Sequence, residues 1–263
     1  MAKKKKASSS KAVVSGSSIN SLKGAVDWVS KTQRASGKPL AIVLAGHNGS
    51  GKSTLWYKRL APVLKMPLVN ADRLMMSILP EQVLPEHPLP KWAQTLRDKH
   101  EGWMRVSQQG VQAFVAQAMS NQVPFAMETV FSHWKRQPDG SYASKIDSIR
   151  DMQKAGYYVL LVFVGLTNAD LSRARVASRV YQGGHAVPDA KLKERFPRTQ
   201  AAIRAAIPVA DASILVDNSG DEQEAFTVCR VQARSQKIYD CRASSSIPKR
   251  ILLWLEKVAT DLA

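Results

Sequence analysis

The residues best suited to chemistry stand together early in the chain. Gly46-His-Asn-Gly-Ser-Gly51-Lys52-Ser53 fits the pattern G-x-x-x-x-G-K-[ST]. In that pattern the glycines let backbone N–H groups turn inward around phosphate oxygens, and the helix that follows adds partial positive charge at its N-terminus. The lysine reaches the β- and γ-phosphates and the hydroxyl binds Mg²⁺. Gly46, Asn48, Gly49, Ser50, Gly51, Lys52, Ser53 and Thr54 are therefore expected to hold ATP, with Ser53 on the metal. The motif follows an apolar run and opens a helical pattern from Thr54 to Leu64, which is the context that gives it meaning. A glycine-rich turn without a ligand would need no lysine there.

A phosphate loop alone does not separate a switch or motor ATPase from a small-molecule kinase. The placement of other carboxylates does. No apolar run ends in a paired Asp-Glu; instead Asn70-Ala-Asp72 and Met127-Glu128-Thr129 each end one. Carboxyl ends of strands in an open α/β sheet overhang the ligand crevice, so two acids facing one phosphate loop suit a bound acceptor. Asp72 also has a plainer reading, as the cap of a helix starting at Arg73. Downstream, Asn168 opens a helical pattern that places Arg175 and Arg179 one turn apart. Gly183-Gly184-His185 then ends it, with His185 as a turn residue, and Arg195 and Arg198 follow on a short helical segment. Four guanidinium groups flanking a flexible joint suit a lid over ATP, because a planar Arg stabilises charge on the transferring phosphoryl group. The alternative is a solvated basic helix.

The elements that must position these groups are legible as alternating patterns. Pro39–Ala45, Pro67–Asn70, Pro124–Glu128, Tyr157–Val164 and Ala212–Val216 are near-continuous apolar runs, as strands buried on both faces are. Helical stripes separate them: Ile19, Leu22, Val26 and Val29 over residues 18–32; Val111, Phe114, Val115, Ala118 and Met119; Ile146, Ile149 and Met152, closed by Gly156; and Ile251, Leu252, Leu255, Val258 and Leu262. Four prolines in residues 77–100 predict an irregular excursion, and residues 133–143 a second exposed loop. The pattern predicts a three-layer α/β fold with a central, mostly parallel sheet. Residues 1–17 read as a basic disordered tail, 18–37 as an N-terminal helix and linker, and 38–263 as the catalytic domain.

Composition narrows the class further. The 263 residues carry a formal charge of +17, with 44% hydrophobic and 22% charged residues, which excludes wholesale disorder and coiled coil. Nine Lys or Arg against one acid in residues 1–38 supply +8 of that charge. Nucleic-acid contact by the tail is the less favoured reading of it, a solvated arm the favoured one. No membrane span or secretion signal is visible, and the two cysteines, Cys229 and Cys241, form no disulfide framework. A cytoplasmic protein is expected.

Taken in order, Gly46–Thr54, Asn70-Ala-Asp72, Glu128-Thr-Val-Phe-Ser132, and Val162–Leu166 running through Ser172, Arg175 and Arg179 to Gly183-Gly184-His185-Ala-Val-Pro188 resemble the zeta-toxin family of P-loop kinases. Arg195-Phe196 and Asp217-Asn-Ser219 place the likeness in its proteobacterial branch. The resemblance covers about residues 38–220 and implies a P-loop kinase fold. It also implies ATP- and Mg²⁺-dependent phosphorylation of UDP-N-acetylglucosamine on the amino-sugar 3′-hydroxyl, toxicity through loss of a wall precursor, and a possible antitoxin partner. Carried over, Lys52 and Ser53 hold ATP and Mg²⁺, Asp72 is the general base, and Glu128 and Thr129 bind the sugar. Arg179 and Arg195 match the phosphate-clamping arginines, with Arg175, also expected on ATP, and Arg198 as alternatives. A kinase of another hydroxyl acceptor, nucleotide or cofactor, remains open, as does a nucleotide-regulated nucleic-acid-binding module.

Overall fold

The computed structural model describes residues 18–80, 89–181, 184, 186–244 and 246–259. The basic segment 1–17, Gly183 and His185, and Leu262 of the closing stripe lie outside them. The described part begins with α1 (Leu22–Ser36), where the Ser21 hydroxyl accepts from the Gly24 N–H at 3.1 Å and Gly37 ends the helix at φ 68°. After β1 (Leu40–Gly46) come α2 (Lys52–Leu55), a π-helical turn at Trp56–Leu60, and α3 (Ala61–Leu64). This run is the helix expected over 54–64, started two residues earlier and widened by one π turn. The next strand, β2 (Leu68–Val69), leads into α4 (Ala71–Met76).

The five apolar runs are the five parallel strands: β1, β2, β3 (Phe125–Thr129), β6 (Tyr158–Gly165) and β7 (Ala212–Asp217). Two antiparallel strands, β8 (Thr227–Ala233) and β9 (Gln236–Asp240), extend the sheet to seven in the order β2-β3-β1-β6-β7-β8-β9. Every residue of β1 and β6 is buried, and the pleat sends alternate side chains to two layers. Ala41, Val43, Ala45, Leu161 and Phe163 join the layer of α7 (Ile146–Lys154), α9 (Asp189–Ala206) and α10 (Lys249–Val258). Leu40, Ile42, Leu44, Leu160 and Val162 join the layer of α1 and the helix after the phosphate loop. At the end of α7, Gly156 takes φ 90°, while the Tyr157 N–H reaches the Met152 carbonyl at 3.0 Å, the Schellman arrangement expected there.

Several expectations need correction. Residues 133–143 are not a plain loop: they hold most of the hairpin β4 (Trp134–Arg136) and β5 (Tyr142–Ser144), pinned by stacking of Trp134 on Tyr142 at 4.4 Å. Within 77–100, Pro90 caps a regular helix, α5 (Lys91–Lys99), while residues 81–88 lie outside the described part. Proline removes a donor that the start of a helix does not use, so Pro90 initiates rather than breaks. The helix α6 (Glu101–Ser120) packs on the core only near its end, through Val115, Ala118 and Met119; Phe114 of the expected stripe is exposed. The short segment expected around Arg195 and Arg198 is the 18-residue α9. Leu192, Phe196, Thr199, Ile203 and Ala206 bury one face of it, and that packing carries the helix past Pro197. No helix among the described residues is long and apolar enough to cross a membrane. Both cysteines are buried and free.

Gly165 ends β6 against the ring of Trp254 on α10, and an added Cβ would overlap that indole. Trp254 is 1% exposed and has nowhere to move. Gly165→Ala is expected to cost about 1–3 kcal/mol by overpacking, read as a fall of several degrees in the melting temperature.

Candidate active site

Strand order brings the chemistry together. β1 and β3 are neighbours, yet the chain leaves β1 toward β2 on one side and leaves β3 toward β6 on the other. Such a switch point opens a crevice at the carboxyl ends of the strands. The phosphate loop follows β1 there, and Glu128 and Thr129 end β3 beside it, in register with Leu44 and Ala45. Gly46 admits no side chain, because a Cβ would stand 2.5 Å from the Val164 carbonyl and 2.6 Å from Ser50 Oγ. Gly51 takes φ 88° at the start of α2.

Lys52 is 7% exposed. Its Nζ donates to the carbonyls of Gly46 at 3.1 Å and His47 at 3.0 Å, and lies 3.8 Å from the Glu128 carboxylate. Burial pushes the Lys52 pKa down; the charges of Glu128 and Asp72 push it back up, and Arg179 lowers it again. Of these groups Glu128 is the one in direct contact with the ammonium, and Asp72 and Arg179 act on it through their charges. Ser53 Oγ donates to the same Glu128 carboxylate, 3.1 and 3.3 Å from its oxygens. A hydroxyl beside a carboxylate is the hard oxygen donor set that suits Mg²⁺. Thr129 Oγ1 accepts from the Phe131 N–H at 3.2 Å, so its own proton remains available to a ligand.

Asp72 is exposed in the first turn of α4, whose cap is Asn70: its Oδ1 accepts from the Arg73 N–H at 3.1 Å. The capping role belongs to Asn70, and Asp72 is left exposed with no part in the cap. The arginines divide. Arg179 lies near Lys52 at the end of α8 (Ala169–Tyr181), whereas Arg175 on the same helix packs its Cβ over Gly49. Arg195 is half-buried and lines a narrow crevice with His47, Asn48, Ser172 and Thr199. Arg198 is paired instead with Glu194, one turn back, at 3.1 Å.

The loop is gripped by contacts that the sequence does not announce. Ser172 Oγ donates to the Asn48 carbonyl at 2.7 Å, and Asn218 Nδ2 donates to the Ser50 carbonyl at 2.8 Å. Both residues enter the resemblance above only as letters of a pattern; the available signal is that Asn218 directly follows a parallel strand, while Ser172 is a small polar residue in the first turns of the helix after β6. His47 stacks on Phe196 of α9, with ring centroids 3.9 Å apart and planes at 13°, and meets Phe163 edge-on at 5.6 Å. The expected lid helix α9 is therefore docked on the loop through a buried aromatic pair.

A seven-stranded, mostly parallel sheet with a phosphate loop after its first strand and acids at the switch point defines a P-loop kinase. The sequence profile of the Zeta toxin family matches residues 26–227, and the chain belongs to that family; it binds ATP and is an ATP-dependent kinase. An uncharacterised protein of Haemophilus influenzae is 28% identical over 156 residues, 59% of this chain and 91% of its own. Among solved structures, one from the PezAT chromosomal toxin-antitoxin system of Streptococcus pneumoniae aligns with a TM-score of 0.50 at 11% identity, covering 90% of this chain and 88% of that one. The AvrRxo1-ORF1:AvrRxo1-ORF2 structure with sulphate ions aligns at 0.56 and 14% identity, covering 89% and 68%. At such identities these two show the shared fold.

Burial first, and the Lys52 charge second, lower the His47 pKa from 6.5 to about 3. The unfolded chain thus binds a proton that the folded chain refuses, and stability falls as pH drops from about 6.5 toward about 3. His47→Phe keeps a ring on Phe196 and cannot protonate. Its melting temperature is expected to fall less steeply than that of the wild type across this window; parallel slopes would refute the assignment.

Proposed function

We propose that the protein transfers the γ-phosphoryl group of Mg²⁺-bound ATP to the 3′-hydroxyl of the amino sugar of UDP-N-acetylglucosamine. The observation that carries this reading is the Glu128 carboxylate held against Ser53 and Lys52 of the phosphate loop, with Asp72 following the neighbouring strand in the first turn of α4: a donor loop with acids beside it is equipped for a hydroxyl acceptor, whereas a nucleotide sensor needs no base. Lys52 and the loop amides hold the β- and γ-phosphates. Ser53 and Glu128 are the residues that fit Mg²⁺, which when bound neutralises charge on the phosphates. Glu128 would then serve both metal and sugar, and Thr129 would offer its hydroxyl to the sugar.

In the reaction the sugar oxygen bonds to the γ-phosphorus as the bond from phosphorus to the β–γ bridging oxygen breaks, and ADP leaves. Asp72 takes the hydroxyl proton. Arg179 and Arg195 stabilise charge on the transferring group, with Arg175 on the nucleotide side of α8. Arg198, held by Glu194, is the weaker candidate for a clamp.

Consumption of a wall precursor makes such an enzyme toxic to its own cell, and the toxin-antitoxin context of the PezAT structure supports an antitoxin partner here. A cytoplasmic site of action follows from that substrate. Residues 38–263 then form the kinase domain and residues 18–37 lead into it, with α1 laid against the sheet. The basic segment 1–17 is not counted in that catalytic unit.

Incubation with ATP, Mg²⁺ and a panel of nucleotide sugars, read by mass, is expected to show one phosphate added to UDP-N-acetylglucosamine. Strong labelling of another acceptor, with that sugar untouched, would move the assignment to a different hydroxyl. Asp72→Asn keeps the side-chain shape but has no basic site, so turnover should fall by about 10²–10⁴-fold while calorimetry finds ATP affinity unchanged. A variant that binds ATP and still transfers phosphate at the wild-type rate would remove Asp72 from the base role.

A further inference from the structure

In-line phosphoryl transfer requires the attacking oxygen and the leaving β-phosphate on opposite sides of the γ-phosphorus. The acids that face an acceptor, Asp72 after β2 and Glu128 on β3, lie on one side of the phosphate loop. The rest of the donor must therefore leave the loop toward the other side, past β6 and β7. There the segment after β7 forms a wall. Asn218 is tied to the Ser50 carbonyl at 2.8 Å, and Cε1 and Cζ of Phe226 lie 3.5 Å from where a Cβ on Gly51 would stand.

Phe226 has φ 62°, a left-handed conformation in which a bulky side chain is a genuine outlier. Glycine or asparagine would make the same turn without strain. The surrounding segment enforces the conformation: Asp221 Oδ1 accepts from the N–H groups of Gln223 at 2.9 Å and Glu224 at 3.1 Å, Thr227 Oγ1 donates to the Glu224 carbonyl at 2.7 Å, and Glu224 is ion-paired with Arg250 of α10. The ring is half-buried against the layer that contains α1. It is thus braced by the core, beside the mouth of the loop, and retains exposed surface. Strain held in place by its surroundings at a ligand site is a sign of function.

We propose that Phe226 is the platform on which the purine of the phosphate donor stacks, with the Asp217–Phe226 segment as the wall of that subsite. The proposal rests on the reading of the phosphate loop as the donor site. Stacking recognises the π-face of a base and the loop recognises phosphates, so the two contributions are separable with a ligand that lacks the nucleoside.

The test is calorimetric titration of the full chain, in Mg²⁺, with ATP and with inorganic tripolyphosphate. Phe226→Ala and Phe226→Asn are expected to bind ATP roughly 5- to 150-fold more weakly, the range that base–aromatic stacking contributes, and tripolyphosphate as the wild type does. Phe226→Tyr should retain ATP affinity. Asparagine accepts the left-handed backbone, so that variant carries the test if the alanine form does not fold. Unchanged ATP affinity in the Asn variant overturns the proposal. So does equal weakening of both ligands, which would make the ring a prop for the loop. Lys52→Ala in the same titration separates the two levels: if it binds both ligands as tightly as the wild type, the donor-site reading itself fails, whatever the Phe226 variants show.

Discussion

A lysine ammonium that is 7% exposed is the constraint on which the site depends. Taking a cation out of water is costly unless hydrogen bonds and opposite charge replace the lost hydration. Here two backbone carbonyls of the loop and the Glu128 carboxylate make the replacement. The carbonyls are available because the loop curls tightly around the side chain, and that curl needs glycine at Gly46, where the β6 backbone stands in the place of a side chain. The carboxylate is available because β3 runs parallel to β1 in a register that sets Glu128 beside Leu44. The charge proposed to serve phosphate binding is thus compensated by a carboxylate that this strand pairing supplies.

The loop is held from three directions, each by an element that carries another part of the site. α8 grips it through Ser172 and carries Arg175 and Arg179; α9 grips it through the Phe196–His47 stack and carries Arg195; the end of β7 grips it through Asn218. A column of rings continues inward from His47 to Phe163 and on to Trp254 of α10, 5.9 Å away. Residues beyond the family match, which ends at 227, are therefore mechanically part of the site: α10 backs the ring column, and β8 closes the sheet beside β7. The arginines of α8 and α9 thus sit on the same helices that hold the loop.

The parallel core was legible because a strand buried on both faces must be apolar at every position, and β1 and β6 are. The phosphate loop was legible because backbone curvature, charge and hydroxyl are fixed at adjacent positions. β8 was not, since Arg230 and Gln232 interrupt its pattern. Both are buried, and Arg230 donates to Gln232 beside it and reaches Asp240 of β9 and the Ala259 carbonyl, 10 and 29 residues away. The length of α9 was hidden by Pro197, whose cost is met by a buried face that only the assembled layer supplies. In each case the local signal points the wrong way and a distant contact outweighs it.

The site divides along the same line. The sequence by itself determined the phosphate loop, an acid at the end of one strand and another just beyond a second, and the supply of arginines, because each is a property of a few neighbouring residues. The tertiary structure alone decided that Glu128 turns to Ser53 and Lys52, that Asn70 rather than Asp72 caps α4, and that Arg198 is taken up by Glu194 while Arg195 faces the loop. The first outcome depends on strand order, which brings together side chains 75 residues apart; the cap and the Arg198–Glu194 pair are local, but which of several like groups takes each role follows from how the helices start and turn against the sheet.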